Sequence, residues 1–201
     1  MTAVPRLRVT PFDDPEARLA AGRFGMWVFL AVLAVFFAAA MIAFAAIRID
    51  LGSSPLWAGA GAPPLPPILY ASTVVLVLVS GALEWSKRTA RRAGNPRFWL
   101  WMALALGVGF LTLQSVAWIR LWSEGLTPNR DLFGWAFYVL TAIHALHVLG
   151  GLAALGWILG RRRLESAPPT SRASGSLIAM YWHFLAAAWI GLYLLLIWSS
   201  R

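Results

Sequence analysis

Apolar residues along this chain fall in long unbroken runs, not in the alternation of a strand or the single stripe of a soluble helix. Five runs predict five helices, over Gly25–Ile47, Ile68–Leu83, Phe98–Ile119, Phe133–Leu159 and Leu177–Trp198. A helix needs roughly 20 residues to cross a bilayer, so each run is long enough, the second only barely. Between the first two runs lies a Gly/Pro-rich stretch, Gly52 to Pro67, with Pro55, Pro63, Pro64, Pro66 and Pro67. Proline lacks the amide donor, so this stretch reads as a surface loop ending just before a helix. The other connections are short and charged, and no internal repeat is evident. The expected fold is all-α: an integral membrane bundle of five transmembrane helices forming a single domain over residues 25–199. Residues 1–24 read as a polar tail without the apolar core or small-residue cleavage site of a signal peptide.

Composition supports this picture. The 201 residues are 60% hydrophobic and 12% charged, with mean hydropathy +0.69; soluble domains carry about 25% charged residues. With no cysteine, disulfides, thiolate chemistry, iron–sulfur clusters and cysteine zinc sites are excluded. The net charge of +9 arises from 17 basic and 8 acidic residues. In a membrane chain such an excess is first a topology signal, and no nucleic-acid partner is expected. Lys and Arg on alternate sides split 13 to 4. The heavier side holds Arg6, Arg8, Arg18 and Arg23, the loop from Lys87 to Arg97, and Arg161, Arg162, Arg163 and Arg172. The lighter side holds Arg48, Arg120, Arg130 and Arg201. The positive-inside rule then places the N-terminus in the cytoplasm and the C-terminus in the periplasm. Trp85, Trp99, Trp122 and Trp198 near run ends suit an aromatic belt.

Polar groups inside apolar spans are costly and therefore informative. No carboxylate falls well inside a run; Glu84, at the end of the second, reads as an interfacial ion pair with Lys87 and Arg88. All three histidines lie within runs: His144 and His147 in the fourth, His183 in the fifth. His144 and His147 are three apart and share one helix face. The fourth and fifth helices are antiparallel neighbours, and depth arithmetic lets their histidines meet. Two readings follow: a metal or haem site, or interhelical hydrogen bonds from neutral imidazoles. Gln114, Thr112 and Ser115 in the third run read as interhelical bonds. The Gly107/Gly109 and Gly150/Gly151/Gly156 sets read as close-packing positions.

Several motifs resemble subunit III of the haem–copper terminal oxidases. Phe137–Gly151, FYVLTAIHALHVLGG, is similar to that family's FF-x-x-T-G-x-H-G-x-H-V-x-x-G segment. Tyr181–Tyr193, YWHFLAAAWIGLY, resembles its YWHF-x-D-x-x-W segment, bringing in Trp182 and Trp189. RFGMWVFL, from Arg23 and Gly25 onward, and GVGFLTLQ, ending at Gln114, resemble two further family motifs in the correct order. The length resembles short bacterial five-helix forms. The resemblance implies a non-catalytic subunit without haem, copper or other metal of its own. Such a subunit packs against catalytic subunit I and further respiratory subunits, and binds phospholipid in the bacterial cytoplasmic membrane. Under it, His144, His147, His183 and Gln114 are structural polar contacts. Three positions where the family often carries acids are Leu33, Ala117 and Ala186, which argues against a proton path here. The alternatives are an accessory subunit of a quinol oxidase or nitric oxide reductase and, in another class, a histidine-ligated membrane b-type cytochrome. A transporter is disfavoured by the missing midplane acids and repeats.

Overall fold

The computed structural model describes residues 15–58, 64–92, 94–164 and 170–200. Its elements are α1 (Pro15–Leu51), α2 (Pro55–Ala58), α3 (Ile68–Arg91), α4 (Arg97–Ser123), α5 (Leu132–Leu164) and α6 (Thr170–Ser199). Five helices are long and apolar enough to cross a membrane, among the described residues. The outer surface is rich in large apolar side chains, among them Phe24, Trp27, Val32 and Val35 on α1, Leu146 and Trp157 on α5, and Leu194 on α6. In water such a surface would drive aggregation; facing acyl chains it is at rest.

Helix ends differ from the hydropathy limits because a helix continues past its apolar stretch. α1 begins at Pro15, so residues 15–24 are helical; residues 1–14 lie outside the described part. α3 runs beyond Leu83 to Arg91, carrying Glu84, Lys87 and Arg88 on a further two turns. Local chemistry sets the other limits. The Asn95 side-chain oxygen accepts from the Arg97 amide (3.0 Å) at the start of α4. Gly125, at φ 85°, closes the end of α4 by letting the Leu126 amide donate to the Leu121 carbonyl (2.8 Å). Only glycine adopts that left-handed conformation without steric cost. Asp131 Oδ1 then accepts from the Gly134 amide (2.7 Å), capping α5.

The stretch from Gly52 to Pro67 is not wholly a surface loop. Its four-residue helix α2 plants Trp57, 2% exposed, against Phe44 of α1 and Phe133 of α5. The guanidinium of Arg48 lies over both Trp57 (5.7 Å) and Trp198 (5.9 Å), and Arg48 Nε donates to the Ser199 carbonyl (3.2 Å). Proline-rich composition signals missing donors; it does not forbid one aromatic anchor from turning inward.

α6 is the centre of the bundle and packs against α1, α3 and α5, while α4 lies between α3 and α5. The core is built on the buried Trp182, Trp189, Phe110, Phe133 and Phe137. α1 presents Leu30, Leu33, Phe37 and Phe44 inward and leaves most of its circumference to the surroundings. Glycines give the closest approaches. Cβ atoms placed on Gly107 and Gly151 would lie 2.7 Å from Leu152 Cδ2 and 3.1 Å from the Trp182 ring respectively. Gly25, Gly109 and Gly156 have no such neighbour within 4 Å.

Candidate functional site

Among lipid-soluble helices, buried polar side chains mark where a chain does more than fill space. Here they come from four helices and do not form one centre. His144 of α5 is fully buried among rings: Trp189 at 5.0 Å between centroids, Phe110 at 5.8 Å and Phe37 at 6.2 Å. Neither ring nitrogen has a hydrogen-bonding protein partner. His147 shares the face, as the three-residue spacing predicts, and meets Phe37 at 5.2 Å. Its Nδ1 lies 2.7 Å from the Ile143 carbonyl of its own helix, so Nδ1–H is the donor. The backbone carbonyl of His147 accepts from Tyr181 Oη (2.8 Å), tying α5 to α6.

His183 does not meet the α5 histidines. α6 has α5 on one side and α3 on another, and one residue along a helix turns the side chain by about 100°. Trp182 therefore faces α4 and α5, while His183 Nε2 lies 3.8 Å from Glu84 Oε2 on α3. Glu84 also pairs with Lys87 Nζ (2.6 Å) and Arg88 Nε (3.7 Å). The intrahelical pairs follow from i,i+3 and i,i+4 spacing; the cross-helix link to His183 was not visible in the sequence.

Gln114 is buried with both side-chain heteroatoms lacking a protein partner, as is Trp182 Nε1. The expected interhelical bonds of Gln114 and His144 are thus not made to protein groups. Thr112 and Ser115 bond back to the Val108 and Leu111 carbonyls of α4 and face outward; a hydroxyl four residues past a carbonyl reaches it more readily than a neighbouring helix. Two side chain–side chain bonds that do cross between helices use tryptophans. Trp118 Nε1 donates to Thr141 Oγ1 (3.1 Å), and Trp189 Nε1 to Thr73 Oγ1 (2.9 Å). Thr73 and Thr141 are hydroxyls in apolar runs, so the polar census that found Gln114 carries the signal for them too. Arg23 and Gly25 lie on outward positions of α1, beside Phe24 at 72% exposure.

Leu33, Ala117 and Ala186 all point into the bundle. A carboxylate at any of them would enter a packed apolar interior, at about 2.5–3.5 kcal/mol on insertion scales without a partner. No group of three His, Asp or Glu converges to hold a metal, among the described residues. The three imidazoles have separate surroundings: His147 bonds to its own helix, His183 lies beside Glu84, and His144 is enclosed by rings. The fold therefore defines a multi-pass helical membrane protein whose histidines do not converge.

The sequence profile of the family described as cytochrome c oxidase subunit III matches residues 17–201. The chain belongs to the cytochrome c oxidase subunit III family. It is similar to a protein of Nocardia farcinica named probable cytochrome c oxidase subunit 3, with 31% identity over 60% of this chain and 61% of that one. A cytochrome c oxidase subunit 3 of Synechocystis is 30% identical over 90% of this chain and 75% of its own length. A cytochrome bo(3) ubiquinol oxidase subunit 3 of Pseudomonas aeruginosa is 25% identical over 83% and 79%. The matched part spans about three fifths of the Nocardia protein and of a similar Corynebacterium diphtheriae protein, at 61% and 63%.

Proposed function

We propose that this chain is the non-catalytic third subunit of a respiratory haem–copper oxidase in a bacterial cytoplasmic membrane. It stabilises catalytic subunit I, holds phospholipid against its outward apolar faces and carries no haem or copper. The observation that carries the reading is the family match across nearly the whole chain, residues 17–201. The scattered imidazoles support a structural role. Oxygen reduction and its metals belong, on this reading, to partner subunits. The oxidase draws on cytochrome c, as the names of the Nocardia and Synechocystis relatives suggest; the Pseudomonas relative, named for ubiquinol, favours a quinol oxidase as the second reading.

The test is affinity purification of the tagged full chain in a mild detergent, followed by mass spectrometry and a visible spectrum. A haem–copper catalytic subunit should co-purify, and haem should leave with it when the complex is dissociated. A Soret band that stays with the isolated chain and disappears in His147→Ala would make the protein a b-type cytochrome instead. Recovery of a nitric oxide reductase catalytic subunit would reassign the complex.

The orientation has the N-terminus in the cytoplasm, supported by the 13-to-4 basic split. In intact cells a cysteine at Ser53 should react with a membrane-impermeant maleimide, and one at Arg92 only after permeabilisation. The opposite pattern overturns the orientation.

A further inference from the structure

Gln114 and His144 are buried side chains with every side-chain heteroatom unpartnered by protein, as is the Trp182 indole. Gln114 and His144 belong to adjacent helices, α4 and α5, and two cross-helix contacts bracket them. Phe110, four residues before Gln114 on the same buried stripe of α4, meets the His144 ring at 5.8 Å. Trp118, four residues after Gln114, donates to Thr141, one turn before His144. Gln114 therefore stands between these contacts, at the level of the Thr141–His144 turn. Trp182 Nε1 is not part of this group: its ring lies against Gly107 and Gly151, about two turns further along the bundle.

The chemistry of the pair is specific. Gln114 offers an amide with two N–H donors and an acceptor oxygen; a neutral His144 offers one donor and one acceptor. His144 is enclosed by the rings of Phe110, Trp189 and Phe37, and Gln114 is 2% exposed. Leaving such groups unsatisfied in a low-dielectric interior is costly. A water molecule both donates and accepts, and buried waters typically make about three hydrogen bonds to polar groups of this kind. We infer that Gln114 and His144 form a binding site for one internal water molecule that bridges α4 and α5 within the membrane. The site is a hydrated joint between two helices. It stands independently of which complex the chain joins.

Water-edited, proton-detected solid-state NMR of the full chain in a phosphatidylglycerol/phosphatidylcholine bilayer tests it. The Gln114 side-chain amide should gain polarisation from water several-fold faster than the Trp118 indole N–H, which is one turn away and already bonded to Thr141. His144→Phe should slow the Gln114 transfer several-fold and leave the Trp118 signal in place. Should His144→Phe fail to fold, Gln114→Met read at the His144 ring protons serves the same purpose. A scalar coupling across a direct Gln114–His144 hydrogen bond overturns the inference, as does water transfer that His144→Phe and Gln114→Met leave unchanged.

Discussion

Gly107→Leu is expected to stop the bundle from closing. A side chain at this position begins 2.7 Å from Leu152 Cδ2 and 3.0 Å from Trp182 Cη2. The Leu152 methyl is the end of a flexible chain and gives way to a single added carbon. Trp182 is fully buried between α4 and α5 and has nowhere to go. Gly107→Ala should therefore cost little to moderately, whereas the four carbons of leucine must push α4 off both neighbours. Overpacking of this kind costs typically 1–3 kcal/mol and more where the backbone must move. Leucine also gains about 1 kcal/mol of helix propensity over glycine, which partly conceals the clash. Gly109→Leu removes that ambiguity: it carries the same propensity gain with no neighbour within 4 Å. In detergent, Gly107→Leu should lower the unfolding temperature and the monodisperse yield sharply, with Gly109→Leu at or above the wild type. Equal losses in both would mean that α4 does not approach Trp182 this closely.

Trp189→Ala should be the most damaging truncation. The indole is fully buried, packs on Phe110 (5.3 Å), His144 (5.0 Å) and Tyr193 (6.4 Å), and donates to Thr73 Oγ1. Two contributions are lost together, and their sizes decide the reading. A hydrogen bond between membrane helices averages about 0.6 kcal/mol, whereas Trp→Ala in a packed core costs on the order of 3–5 kcal/mol. Lipid tails remove the water-transfer part of that figure, so the lower end applies, and packing still dominates. Trp189→Phe, which keeps a ring and loses the donor, should retain most of the stability by thermal unfolding. If it falls as far as Trp189→Ala, the bond to Thr73 outweighs the packing.

Length and hydropathy made the five spans legible because membrane helices are long and apolar on nearly every side. The helical continuations were hidden for the same reason: hydropathy reports the bilayer, and a helix such as α3 continues past it through Lys87 and Arg91. Trp57 was hidden by its prolines, whose local signal is strong while the pocket it fills is made of Phe44 and Phe133, far away in sequence. The shared face of His144 and His147 was readable from their spacing. The partner of His183 was not, because it depends on which helix lies beside each face of α6, and sequence order alone favoured α5. Among hydroxyls, Thr112 and Thr141 look alike in the sequence; only the approach of Trp118 separates them.

The dependence of α1 on α6 has a consequence for biosynthesis. The first span leaves the ribosome long before the helix it packs on exists: Arg48 is bonded to Ser199, 151 residues later. At about 5–20 residues per second, the interval is on the order of ten seconds or more. During that time α1 gains contacts such as Phe44 with Trp57 but lacks its packing on α6, and must be stable in lipid on its own apolar surface. It is also the most apolar of the five spans and the least buried by its companions. A helix that must wait for its main partner is built to be soluble in the bilayer first and to pack second.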